Sequence, residues 1–153
     1  MELDNPQSIR KKIMDFLSRR EYSSKELYRK LTRKVNSLKM LEEEIRKLKR
    51  EGLINDERFA EQYTYSLFHR GLGPVRIKRD LLDKGIKDVV ISNILDSKDW
   101  VTSAKEVLKK KSKNEFPLQT KEVIKLKNFL IYRGFDYHEI EEAFQLFEQD
   151  ENL

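Results

Sequence analysis

The sequence holds no cysteine, so disulfides and thiolate metal sites are excluded outright. Glycine and proline are scarce, five and three in 153 residues, which leaves few strong breakers between regular segments. There are only two histidines, His69 and His138, in different segments, and no convergent set of three or four metal ligands accompanies them. No apolar run approaches the roughly 20 residues a membrane span needs. The opening Met1-Glu-Leu-Asp-Asn-Pro6 lacks the basic and apolar segments of a signal peptide. These absences predict a cytoplasmic chain without metal, cofactor or membrane partner.

Catalytic groupings are missing as well. Glu42, Glu43 and Glu44 are successive helix positions about 100° apart, so they diverge and read as a solvated face rather than a carboxylate pair. Gly71-Leu-Gly73 has neither the preceding strand nor the following Gly-Lys-Ser of a phosphate cradle, and reads as a tight turn before Pro74. Serines and threonines fall at helix caps without a nearby base. No catalytic residue is assigned, and the chain is expected not to be an enzyme.

What is present is helical. Charged residues reach 39% and hydrophobic residues 38%, too apolar for disorder, and Lys, Glu, Leu, Arg and Ile dominate. Apolar positions at helical spacing fall between the breakers: Ile9, Ile13, Phe16 and Leu17 in Gln7–Arg20; Leu27 and Leu31 after a Ser23-Ser24 cap; Leu38, Leu41, Ile45 and Leu48 before Gly52. Asn55 or Asp56 caps a fourth segment with Phe59, Ala60, Tyr63 and Leu67. Pro74 opens a fifth that stops at Gly85. Further helices are expected over Asp88–Leu95, Asp99–Lys111 and Thr120–Arg133, with a loop around Pro117. Asp136 caps the last, which runs through Phe147. Nine helices and no strand result. Trp100 is read as a core anchor, and Tyr65 and Phe68 are expected to pack against a neighbouring unit.

An internal repeat emerges. Arg20, Arg70 and Arg133 each end a helix, and core positions follow seven and eleven residues later: Leu27 and Leu31, Ile77 and Leu81, Ile140 and Phe144. The upstream helices share registers Ile13/Tyr63/Leu126 and Leu17/Leu67/Leu130. Units of this kind cannot bury their faces alone and must share a core with stacked neighbours. The expected fold is all-α: tandem three-helix repeats over 7–54, 55–97 and 98–149, stacked in an elongated array, straight or curved, with 150–153 as an acidic tail end.

Charge is unevenly spread. Between Arg10 and Arg50 basic residues outnumber acidic ones by roughly two to one, whereas Phe135–Leu153 carries seven acids and no Lys or Arg. On the helix after Pro74, Ile77, Leu81 and Leu82 are expected to face inward. Arg76, Arg79, Asp80 and Asp83 then point outward, with Lys78 and Lys84 on the flanks. With Arg70 at the preceding turn this forms a mostly basic ridge. Lys105, Lys109, Lys110, Lys111 and Lys113 crowd the seventh helix. Basic patches recurring along one molecule suit a periodic partner, where weak contacts act together. Arg70, Arg76, Lys78, Arg79, Lys84, Lys105 and Lys109 are the candidate partner-binding residues.

Asp56-Glu-Arg-Phe-Ala60, Arg70-Gly-Leu-Gly-Pro74-Val-Arg-Ile77 and Leu81-Leu-Asp-Lys-Gly-Ile86 together resemble the central signature of the RecX family of recombination regulators. Lys125-Leu-Lys-Asn-Phe-Leu-Ile-Tyr-Arg-Gly-Phe135 is similar to that family's C-terminal motif, and Ser23–Leu31 fits its first repeat. The resemblance implies tandem three-helix repeats and a cytoplasmic regulator of recombination, DNA repair and the SOS response. It implies binding to RecA filaments on single-stranded DNA, with inhibition of their ATP hydrolysis and strand exchange. The mode is either capping of the growing end or lying along the groove between protomers. The chain is expected to act as a monomer and to bind DNA weakly and without sequence preference. The alternative is a direct DNA-binding protein, non-specific or of helix-turn-helix type, although no helix concentrates Arg, Asn and Gln for reading base edges.

Overall fold

Helices begin and end where the scarce breakers and capping side chains stand. The computed structural model describes residues 2–113 and 118–151, so the expected loop at Pro117 and the last two residues of the tail lie outside the described residues. Among the described residues there are nine helices: α1 Pro6–Leu17, α2 Ser24–Leu31, α3 Leu38–Arg50, α4 Asp56–His69, α5 Pro74–Asp83, α6 Asp88–Leu95, α7 Trp100–Ser112, α8 Thr120–Arg133 and α9 Tyr137–Glu151. They include no strand, only an isolated bridge between Leu3 and Val35. The protein is all-α.

Six of these starts (α1, α2, α3, α4, α7 and α9) follow from a side chain that accepts an otherwise orphaned backbone N–H, whereas Gln119 before α8 makes no such bond. Asn5 accepts from the Ser8 N–H at 2.7 Å, and Ser23 from the Glu26 N–H at 3.1 Å while Glu26 accepts from the Ser23 N–H at 3.0 Å. Asp136 and Glu139 make the same reciprocal pair at 2.8 and 2.9 Å. Ser37 and Asp99 cap α3 and α7, and of the two candidates for α4 it is Asn55 that caps, accepting from the Arg58 N–H at 3.0 Å.

Four helix ends share one construction. Gly52, Gly71, Gly85 and Gly134 all have positive φ. The next residue in each case (Leu53, Leu72, Ile86, Phe135) donates its N–H five residues back, to Leu48, Leu67, Leu81 and Leu130, at 3.0–3.1 Å. This is the Schellman closure, in which a left-handed glycine lets an apolar residue fold back onto the last turn. A leucine at the accepting position and an apolar residue after the glycine therefore encode both the stop and the next piece of core.

Two boundaries differ from expectation. Helix α1 ends at Leu17 instead of Arg20, because the Ser18 hydroxyl bonds the Asp15 carbonyl at 2.6 Å and the Arg19 and Arg20 N–H groups both return to Phe16. Helix α9 runs past Phe147 to Glu151: no glycine or proline follows to stop it, and Phe147 is fully buried.

The chain divides into two compact units, whose boundaries fall within α4, α5 and α6. One comprises the residues up to Tyr63 with Leu81–Ile91, and the other Thr64–Asp80 with Ser92 onward. In the first, α3 packs on α1 and α2, and Ile9, Ile13, Leu27, Leu31, Leu41 and Leu48 are fully buried. In the second, α7 packs chiefly on α9 and also on α8, burying Ala104, Leu108, Leu130, Ile140 and Phe147. Trp100 is a core anchor there, its indole N–H donating to the Leu95 carbonyl at 2.8 Å.

Two expected orientations are corrected. Glu44 is not part of a solvated face. It is 5% exposed on the buried side of α3, 3.8 Å from Lys47 and 4.0 Å from Arg10, since its position continues the Leu41/Ile45/Leu48 stripe. Leu82 does not face inward and is 42% exposed, because Ile77 and Leu81 already define the core line of α5 and the next residue turns about 100° away.

Candidate partner-binding surface

The most distinctive sequence blocks turn out to be internal fastenings. In the first unit the Asp56 carboxylate accepts from the Ser24 N–H and hydroxyl at 2.8 and 2.9 Å, and lies 3.6 Å from Lys49. Arg58 binds Glu21 through its guanidinium and reaches the carbonyls of Gly52 and Leu53 at 3.2 and 3.3 Å. Phe59 and Ala60 are buried. Only Glu57 of this block is left outside.

In the second unit the turn before α5 meets the turn after α8. Gly73 and Val75 donate their N–H groups to the carbonyls of Arg133 and Gly134, both at 2.9 Å. A methyl on Gly73 would stand 2.4 Å from the Gly134 carbonyl, so only glycine permits the approach. Arg133 completes the clasp, its guanidinium donating to the carbonyls of Gly71, at 3.2 Å, and Arg70. The three repeated arginines therefore differ in use. Arg133 ties two turns, Arg20 bonds the Glu21 carbonyl and Glu26, and Arg70 leaves its guanidinium exposed.

The candidate cations separate accordingly. Lys78 is exposed and has no ion-pair partner among the described residues, and Arg79 is 74% exposed with its nearest carboxylate, Asp80, at 3.9 Å. Arg70 is exposed like them. Arg76 does not simply project outward. Its Nε is buried without a hydrogen-bond partner, 3.9 Å from Asp80, in a side chain that helps wall the Gly134 turn. In the first unit Lys84 is only 24% exposed, 3.7 Å from Glu26 and above the Tyr63 ring. On α7, Lys105 and Lys109 both face Asp150 of α9, and the Lys105 contact holds the Asp150 carboxyl below its ordinary range. The acidic end of the chain thus neutralises one basic face of α7.

Aromatic and apolar exposure was not anticipated. Phe68 does pack internally, edge-on to Trp100 at 5.3 Å, but Tyr65 is largely exposed, its ring beside His69. Ile124, Ile131, Tyr132 and Tyr137 are also exposed. A signal existed in the sequence: Ile124 and Ile131 lie seven residues apart on α8, off the Leu126/Leu130 line that reaches the core. Among the described residues no three His, Asp or Glu side chains stand close enough to hold a metal ion, and no helix is long and apolar enough to cross a membrane.

The fold is thus an all-α chain in which two glycine turns clasp one another, and its basic residues divide between internal pairs and exposed positions. A family model described as the second three-helix domain of RecX matches residues 55–95, the stretch holding α4, α5 and α6. Regulatory protein RecX of Legionella pneumophila is 36% identical over 131 residues, covering 84% of this chain and 87% of that protein. Regulatory protein RecX of Halorhodospira halophila is 31% identical over 147 residues, covering 95% and 91%. The crystal structure of RecX from Lactobacillus salivarius superposes with a TM-score of 0.79 at 25% identity, covering 94% of this chain and 97% of that one. The chain belongs to the RecX family of regulatory proteins.

Proposed function

We propose that this protein binds RecA filaments on single-stranded DNA and inhibits their ATP hydrolysis and strand exchange, acting in the cytoplasm as a non-catalytic monomer. Membership of a family of regulatory proteins over nearly the whole chain is the observation that carries this reading. The exposed cations Arg70, Lys78 and Arg79 are the residues we assign to the contact, because they are not held in close internal pairs as Lys84, Lys105 and Lys109 are. The repeats 7–54, 55–97 and 98–149 are proposed as the units that present such contacts in succession. Weak, sequence-indifferent DNA binding accompanies this role, since Lys and Arg can meet phosphates without reading bases.

The test is the ATPase of a RecA filament on single-stranded DNA, measured with substoichiometric protein and with the double variant Lys78→Glu, Arg79→Glu. Both positions are exposed, so unfolding should move by no more than about 0.5 kcal/mol. Inhibition should fall by about tenfold or more through lost charge complementarity. A folded double variant that inhibits as well as the parent removes this face from the contact. A parent protein without effect on the ATPase removes the function.

A further inference from the structure

The second unit contains a groove of about 560 Å³ bounded by the end of α4, the outer side of α7 and α8. Its floor includes Phe68, Val107 and Phe129, and its rim carries Arg70, Lys110 and Lys111. That volume lies within the range of pockets that hold small molecules or short peptide anchors. We propose that the groove is a docking site for a short acidic peptide segment of a partner protein, with one large apolar side chain on the floor and carboxylates at the rim. The inference goes beyond the reading above and does not depend on it.

Charge placement carries the argument. Helix α7 has two basic faces, and they are treated differently. Lys105 and Lys109 meet Asp150, whereas Lys110 and Lys111 turn to the groove and have no ion-pair partner among the described residues. Arg70 joins them from the end of α4, again without a carboxylate. Lys111 lies 4.7 Å from the centre of the Phe129 ring, so cation and apolar floor form one surface rather than separate patches. Two acids also line the groove. Asp99 is already engaged by the Thr102 N–H and hydroxyl at 3.0 and 2.6 Å. Glu106 stands one helical turn before Lys110, which gives the groove a polarity along α7: carboxylates of the ligand belong at the Lys110/Lys111 end. A polyanion filling the whole length would meet Glu106, and for that reason an acidic peptide with an apolar anchor fits better than a nucleic-acid strand.

The probe is a fluorescein-labelled synthetic peptide with one phenylalanine followed by a run of glutamates, followed by anisotropy with the full chain and no recombinase present. Failure here is therefore distinguishable from failure of the ATPase reading. We expect saturable binding that weakens about fivefold or more when the peptide's phenylalanine becomes alanine. Lys110→Glu with Lys111→Glu should weaken it about tenfold or more, while Lys121→Glu with Lys125→Glu, an equal charge change at exposed positions of α8, should alter it less than about twofold. Equal losses in the two double variants would mean general charge attraction and overturn the site. So would absence of binding, or indifference to the phenylalanine. Tighter binding of an oligothymidylate of equal charge, lost in the Lys110/Lys111 variant, would overturn it in favour of a nucleic-acid groove.

Discussion

Gly52 and Gly71 close their helices with nearly the same left-handed backbone, φ +78° and +77°, yet their surroundings have little in common. A methyl added at Gly52 would meet nothing within 4 Å. At Gly71 it would lie 2.9 Å from Val107, and at neighbouring Gly73 it would strike the Gly134 backbone at 2.4 Å. The first turn needs glycine only for its dihedral angle. The second needs it because two main chains touch. Identical sequence punctuation thus serves a local stop in one unit and a long-range joint in the other.

Alanine substitution separates the two. Gly73→Ala should cost about 3 kcal/mol or more, since backbone rather than a yielding side chain blocks the new methyl. Gly52→Ala should cost about 1–2 kcal/mol, the strain of a left-handed alanine alone. Urea unfolding of both variants measures the contrast between a blocked contact at Gly73 and a left-handed dihedral at Gly52, and comparable losses would show that the Gly73–Gly134 approach yields as easily as the dihedral.

Arg58→Ala comes next. It removes the Glu21 pair and two carbonyl contacts beside the Gly52 turn, and should cost about 1.5 kcal/mol, placing the fastening of this turn in a side chain rather than in glycine packing. If the loss is negligible, the Gly52 turn holds itself.

Smallest is the acidic latch on α7. Asp150 titrates below its ordinary value because Lys105 donates to its carboxylate. A carboxyl whose folded pKa lies below its unfolded one contributes stability at neutral pH, and that contribution disappears as pH falls through the folded pKa. Asp150→Asn should therefore lower the melting temperature slightly at neutral pH and flatten its decline toward acid. Melting curves parallel to the parent at every pH would show the pair to be energetically silent, as exposed pairs often are.

Helix number and type were legible in the sequence because most boundaries are written twice, in a cap or a glycine stop and in an apolar period. Asn5, Ser23, Asp99 and Asp136 announce starts, and Leu48-to-Leu53 or Leu130-to-Phe135 spacing around a glycine announces stops. The fate of the charges was less legible. Helical phase shows which way Lys105 or Arg76 departs from its own axis, but not that Asp150 waits opposite one, or that Asp80 and the Gly134 turn flank the other. Glu44 shows the limit most clearly. Its composition belongs to the surface, its phase belongs to the core, and phase prevailed.

The contact between Gly73 and Gly134 also sets an order of events during synthesis. The N–H groups of Gly73 and Val75 find their acceptors on residues about sixty positions downstream, and buried amides without acceptors are costly. On the ribosome, where chain emerges at about 5–20 residues per second, the start of α5 must therefore wait several seconds for the end of α8. The first unit contains no residue beyond Ile91, so all of its chain has emerged before that wait ends. A nascent chain arrested between Ile91 and Gly134 should hold one finished unit and one unfinished corner, visible as protease protection confined to the earlier residues.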